Sequence, residues 1–93
     1  MNDPTAVGTP TLLDGIRIGE YVQITGTNGS GLRIRNNPGL SAQVNFYAMD
    51  NEVFLIQDGP IEQDEYTWWY LTAPYDINRS GWAAADFLVV IVQ

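Results

Sequence analysis

The sequence predicts an all-β domain: a small barrel of roughly five to seven short antiparallel strands, with one short helical turn near Ala84–Asp86. Three observations carry that expectation. Apolar residues alternate with polar ones in short runs, and clusters of Gly, Pro, Asn and Asp separate the runs at fairly even intervals. Helical periodicity is absent outside Ala84-Ala85-Asp86. Finally, Tyr66 to Leu71 reads YTWWYL, and in a strand the adjacent Trp68 and Trp69 must point to opposite faces.

Composition narrows the class. With 93 residues there is room for one small domain and a tail, near the lower end of what folds without covalent staples. The chain has no cysteine, so neither a disulfide nor a thiolate metal site supports it. Hydrophobic residues make up 45% of the chain, far from the regime of disordered segments. Eleven acidic residues face four arginines, for a net charge of -7. Nucleic acid and anionic membranes are disfavoured as partners, because both are held mainly by clustered Lys and Arg. No apolar run approaches the length of a membrane span, and the first residues lack the basic start and apolar block of a signal peptide.

In chain order, residues 1–18 read as a flexible lead-in broken by Pro4, Gly8 and Pro10, with Leu12, Leu13, Ile16 and Ile18 apolar enough to form an added edge strand. The domain proper is expected over 19–93. Strands are expected at Glu20–Thr25 (EYVQIT) and Gly31–Arg35 (GLRIR), the latter ended by the Asn36-Asn37-Pro38-Gly39 turn. A polar loop runs to Gln43, followed by strands at Val44–Met49 and Glu52–Gln57 with Asp50-Asn51 as the turn between them. Asp58-Gly59-Pro60 is read as a break, and Glu62–Glu65 as an acidic loop before the double-tryptophan strand. A second break over Ala73–Asn78 leads to a strand at Ser80–Ala84, the helical turn, and a last strand at Phe87–Val92.

Alternation assigns Val22, Ile24, Leu32, Ile34, Val44, Val53, Leu55, Trp69, Leu71, Leu88 and Val90 to the core, each worth about 2 kcal/mol when buried. It places Trp68 and Tyr70 outward, and Phe54 and Ile56 outward on the preceding strand. Trp68, Tyr70, Phe54 and Ile56 then form an exterior patch, to be covered by the N-terminal segment or by another copy of the chain, or used to bind a ligand.

The succession GLRIRNNPG at Gly31–Gly39, an apolar strand, EVFLI, a tight loop, WWYL and GWAAADFL at Gly81–Leu88 resembles a bacterial SH3-like (SH3b) domain over about Glu20 to Val92. Leu32, Ile34, Arg35, Pro38 and Gly39 match the first motif of that family. Trp68 and Leu71 match the second, and Gly81, Trp82, Phe87 and Leu88 the third. Relatives that grip proline-rich peptides carry a proline in the final turn where Ala84 stands here, so polyproline binding is not implied. The resemblance implies an SH3-like barrel that serves as a non-catalytic targeting module, with a peptide or peptidoglycan fragment as ligand and the cell envelope or exterior as its setting.

Function is expected in binding. A nucleophile with a histidine base is excluded by the absence of Cys and His, and most acids lie in predicted turns rather than in a cleft. The acidic loop lacks the alternating pattern of a calcium site and is read as solvated, so no metal and no cofactor are expected. A groove between the loop after Arg35 and the hairpin before Trp68 would draw on Tyr47, Tyr66, Trp68, Tyr75, Trp82, Asp64 and Glu65, rings beside acids that suit a cationic or amphipathic peptide or a sugar. The alternative role is structural: weak self-association, or docking to another domain of a longer protein.

Overall fold

The computed structural model describes residues 15–91. Its strands in chain order are β1 (Tyr21–Ile24), β2 (Leu32–Arg35), β3 (Val44–Ala48), β4 (Val53–Gln63), β5 (Tyr66–Ala73), β6 (Asp76–Ala84) and β7 (Leu88–Ile91), with a 3-10 turn at Ala85–Phe87 before the last. All pair antiparallel in one seven-stranded sheet of order β3-β2-β6-β5-β4-β1-β7. The sheet does not close, so the expected closed barrel is replaced by an open sheet with β3 and β7 at its edges. It curls nonetheless, because Leu32, Ile34 and Ala48 near one edge and Leu88 near the other belong to a single buried cluster.

Two expected breaks are absorbed into strands. At Asp58-Gly59-Pro60 the ladder between β4 and β5 shifts register twice, between Ile56 and Asp58 and between Asp58 and Ile61, and pairing resumes through Gln63–Tyr66. The turn residues thus make a bulge inside a strand of 11 residues. Ala73–Asn78 likewise shrinks to a tight turn, since Ala73 pairs with Asp76. The acidic loop is a two-residue hairpin turn: Asp64 and Glu65 have φ of 56° and 68°, the left-handed values that match the twist of paired strands.

Gly81 joins the two halves of the sheet. β2 meets β6 at one register pair, Arg35 with Trp82. A Cβ on the neighbouring Gly81 would lie 2.6 Å from the Arg35 carbonyl oxygen and 2.7 Å from Ile34 Cγ2. Only glycine lets the backbones come this close.

The buried cluster contains Val22, Ile24, Leu32, Ile34, Trp69, Leu71 and Leu88 as alternation predicts. The face assignment of β4 is overturned. Phe54 and Ile56 are fully buried core residues, while Val53 and Leu55 are half-buried. EVFLIQ is apolar at four successive positions, so alternation inside it cannot say which parity points inward. Pairing decides: Phe54 lies opposite Val22 on β1, and Ile56 opposite Leu71 on β5, both inward residues. The proposed exterior patch of Trp68, Tyr70, Phe54 and Ile56 therefore does not exist. Val44 and Val90 are half-buried rather than buried, and Ala48, Ala73 and Ala83 complete the core.

Of the proposed edge strand, Leu12 and Leu13 lie outside the described residues. Residues 15–20 form no strand; Ile16 packs against the core and Ile18 is exposed. Among the described residues no helix is long and apolar enough to cross a membrane.

Candidate functional site

The two tryptophans of β5 do face opposite ways. Trp69 joins the core cluster, whereas Trp68 sits on the other side of the strand with Tyr66 and Tyr70. Register extends that outer face sideways. Trp68 lies opposite Ala84 on β6, Tyr70 opposite Trp82, and Trp82 in turn opposite Arg35 on β2. Arg33 follows on the same side of β2, one alternation away. The small side chain of Ala84 leaves space beside the indole. A cavity of about 330 Å³ opens there, with Trp68 and Ala84 as its floor, Tyr66, Phe87 and Leu40 as apolar walls, and Arg33 and Arg35 along one side.

Two segments rim this cavity, and a carboxylate anchors each. The turn over residues 26–31 wraps around Asp50, whose Oδ1 accepts the Thr27 N–H (3.0 Å) and hydroxyl (2.9 Å) and whose Oδ2 accepts the Gly29 N–H (3.1 Å). The Thr27 hydroxyl also accepts the Gly31 N–H at 3.0 Å. The Thr27 and Gly29 backbone N–H groups, followed by the Thr27 hydroxyl, hold the Asp50 carboxyl below the ordinary carboxylate range. On the other rim, Arg35 Nη1 donates to the carbonyls of Leu40 and Ala42, both at 2.9 Å. The Leu40 N–H donates to Asp64 Oδ2 at 2.7 Å. A Cβ on Gly39 would come within 3.2 Å of the Gln63 side chain, so the loop after β2 lies directly against the β4–β5 hairpin. The expected groove between that loop and that hairpin is bridged at its outer end by Asp64, and the open space lies beneath it.

Trp68 departs from the expectation of an available ring. Only 2% of it is exposed, and its indole N–H donates to the Gln63 carbonyl at 2.8 Å. Tyr66 stands edge-on to it with ring centres 6.1 Å apart. Trp68 is therefore a fixed, buried part of the cavity's lining.

The remaining candidates do not converge with it. Trp82 is half-buried and edge-on to Tyr70 at 5.4 Å, and the Tyr70 hydroxyl lies 3.0 Å from Ser80 Oγ, so the pair acts as outer-face packing. Tyr47 is exposed on edge strand β3 beneath the Arg33 guanidinium, 5.6 Å from its ring centre. Tyr75 lies at the opposite end of β5, in the turn to β6, with its hydroxyl on Glu52 Oε2 at 3.2 Å. Asp64 is committed to Leu40, and Glu65 is exposed in the turn. Among the described residues no three acids gather as a cation site requires.

Sequence reasoning missed Arg33, Arg35, Leu40 and Phe87. The arginines carried a legible signal, since GLRIR puts both on the outward phase of one strand. Leu40 carried none, because its place depends on the Asp64 contact. Compared with family models, with characterised proteins and with solved structures, the chain matches none.

Proposed function

We propose that this domain is a non-catalytic recognition module of the SH3-like type, which takes a segment of peptide or cell-wall glycopeptide into the cavity over Trp68. The observation that carries the reading is the cavity itself: aromatic and aliphatic walls, a few convergent polar groups and a volume at the lower end of the roughly 300–1,000 Å³ usual for small-ligand sites. Its walls come from a turn, a loop and a hairpin; Asp50 ties the turn to a distant part of the chain and Asp64 ties the loop to the hairpin, so the shape is preformed. The SH3-like assignment is supported by where the motif residues fall. Leu32–Arg35 is a strand ended by the Asn36–Gly39 turn, Trp68–Leu71 lies in a central strand, and Gly81-Trp82 precedes a 3-10 turn and the last strand. That family setting favours the cell envelope or exterior.

A titration of the 15N-labelled protein with muropeptides and short peptides tests the reading. The expected result is chemical-shift change at the Trp68 indole N–H, Leu40 and Tyr66. Saturating ligand that leaves these signals unmoved refutes it.

An assembly role is the second reading, and one observation favours it: Tyr75 and Ile77, 70% and 77% exposed, stand together at the β5–β6 turn. Concentration-dependent sizing that Ile77→Asp abolishes would select that role over the first.

A further inference from the structure

We infer that the cavity over Trp68 selects an anion joined to an apolar group, a carboxylate bearing an aromatic or branched aliphatic side chain, rather than the cationic peptide that an acidic surface suggests. The inference rests on the reading of this cavity as the binding site and deepens it by naming the ligand's charge.

The argument is one of charge placement. In a chain with eleven acids and four arginines, two of the arginines line this one cavity and no acid does. The acids closest to its rims are turned to other work: Asp50 accepts backbone N–H groups of Thr27 and Gly29, and Asp64 that of Leu40. Arg79 by contrast is paired, at 2.9 Å from Glu52. Neither Arg33 nor Arg35 has a carboxylate partner among the described residues. Arg35 spends Nη1 on the carbonyls of Leu40 and Ala42, which fixes the plane of its guanidinium and leaves Nε and Nη2 as donors. Arg33 is exposed, leans on Tyr47, and makes no hydrogen bond among the described residues. A guanidinium held in one plane, with a second on the same side of the strand, matches the two oxygens of a carboxylate. The surrounding walls, Trp68, Tyr66, Phe87 and Leu40, carry no formal charge and suit an apolar group attached to the carboxylate. A cation entering the same space would meet two like charges with no counter-ion.

The test compares N-acetyl-phenylalanine, its C-terminal amide and acetate, each titrated into the 15N-labelled protein and into Arg33→Gln. Arg33 has no hydrogen-bond partner among the described residues, so this variant keeps the fold. The acid should move the Trp68 indole N–H, Leu40 and Arg33 signals and bind about tenfold or more tightly than the amide, with the difference shrinking as salt is raised. Acetate should bind more weakly than N-acetyl-phenylalanine, and Arg33→Gln should bring the acid close to the amide. An amide that binds as well as the acid, or an Arg33→Gln variant that keeps the preference, overturns the inference while leaving the cavity as the site. Shifts from the acid that avoid Trp68, Leu40 and Arg33 overturn it as well. The wider reading falls separately, if muropeptides and peptides all leave the cavity signals unmoved.

Discussion

Gly81→Ala should cost about 2 kcal/mol, within the roughly 1–3 kcal/mol range of overpacking substitutions. The added Cβ would sit 2.6 Å from the Arg35 carbonyl oxygen, 2.7 Å from Ile34 Cγ2 and 3.1 Å from Asn45 Nδ2. Carbon atoms in ordinary contact stand about 3.5–4.0 Å apart. Two of the three neighbours therefore have to retreat by most of an ångström, and neither is a loose end. One is backbone in the only register pair between β2 and β6, and the other is a fully buried core isoleucine. For a domain of this size, 2 kcal/mol lowers Tm by about 8–16 °C. Gly19→Ala is the control: its φ is +95° and nothing lies within 4 Å of the added Cβ, so it carries only the backbone cost of about 1–2 kcal/mol. The seam between β2 and β6 predicts more than stability. Because the β2–β3 hairpin carries Arg33 and Arg35, its displacement should also shift the Arg33 and Trp68 signals in the folded variant, while Gly19→Ala leaves them in place. Thermal unfolding and 15N spectra of both variants decide the matter. A Gly81→Ala protein that melts within 2 °C of wild type refutes the account of the seam.

Three further outcomes follow from the same contacts. Phe54→Ala should cost about 3–5 kcal/mol in chemical denaturation, as a buried ring does; a loss below 1 kcal/mol would return Phe54 to the surface. Glu52 accepts Arg79 Nη2 at 2.9 Å and the Met49 N–H at 2.8 Å, and Arg79 lies 4.4 Å over the Phe46 ring. A double-mutant cycle of Glu52→Ala with Arg79→Met should give a coupling of about 1 kcal/mol, and additive losses would deny the pair. The folded-state pKa of Asp50 is depressed by Thr27 and Gly29, so its contribution is complete above the ordinary carboxylate value of about 3.9 and is lost as pH falls through the lower folded value. Asp50→Ala should thus be less stable than wild type at pH 7 in urea, with the gap closing in strong acid; a constant gap contradicts the assignment.

Much of this arrangement was legible beforehand, and what was not has physical reasons. All seven strands expected from Glu20 onward and the final turn followed from alternation and from turn residues, and the split of Trp68 from Trp69 followed from strand geometry alone. Parity failed in EVFLIQ, where four apolar residues in a row satisfy either facing, and only the Val22–Phe54 pairing across β1 and β4 chooses. The break at Asp58-Gly59-Pro60 failed for a related reason. Turn residues end a strand only when the chain then leaves the sheet, and here continued pairing from Ile61 to Gln63 makes the same residues a bulge. Trp68 does lie on the face opposite Trp69, as strand geometry predicts, but it is buried, and the cavity beside it is lined by Phe87 and Leu40 from segments remote in sequence. Covering of this kind is a tertiary fact with no local signature.

The acidic composition invites the inference of a cation-binding surface, and the hydrogen bonds argue otherwise. Asp50, Glu52, Asp64 and Asp76 each accept a backbone N–H in or beside a turn, and Asp58 does so in the bulge of β4, at 2.7 to 3.1 Å. In an all-β chain with no disulfide and little helix, turns carry the most unpaired backbone donors, and a short carboxylate is the strongest acceptor that can reach them. Charge repulsion among these groups is weakened by their spread over separate turns and by salt. Their negative charge is thereby spent on shape, and two of them, Asp50 and Asp64, shape the two rims of the cavity. The floor rests instead on Trp68 and on the core behind it, which has no charge to lose. Protonation of Asp50 should therefore loosen the rim over residues 26–31 before acid reaches the floor, and the cavity would lose that side while the sheet still stands.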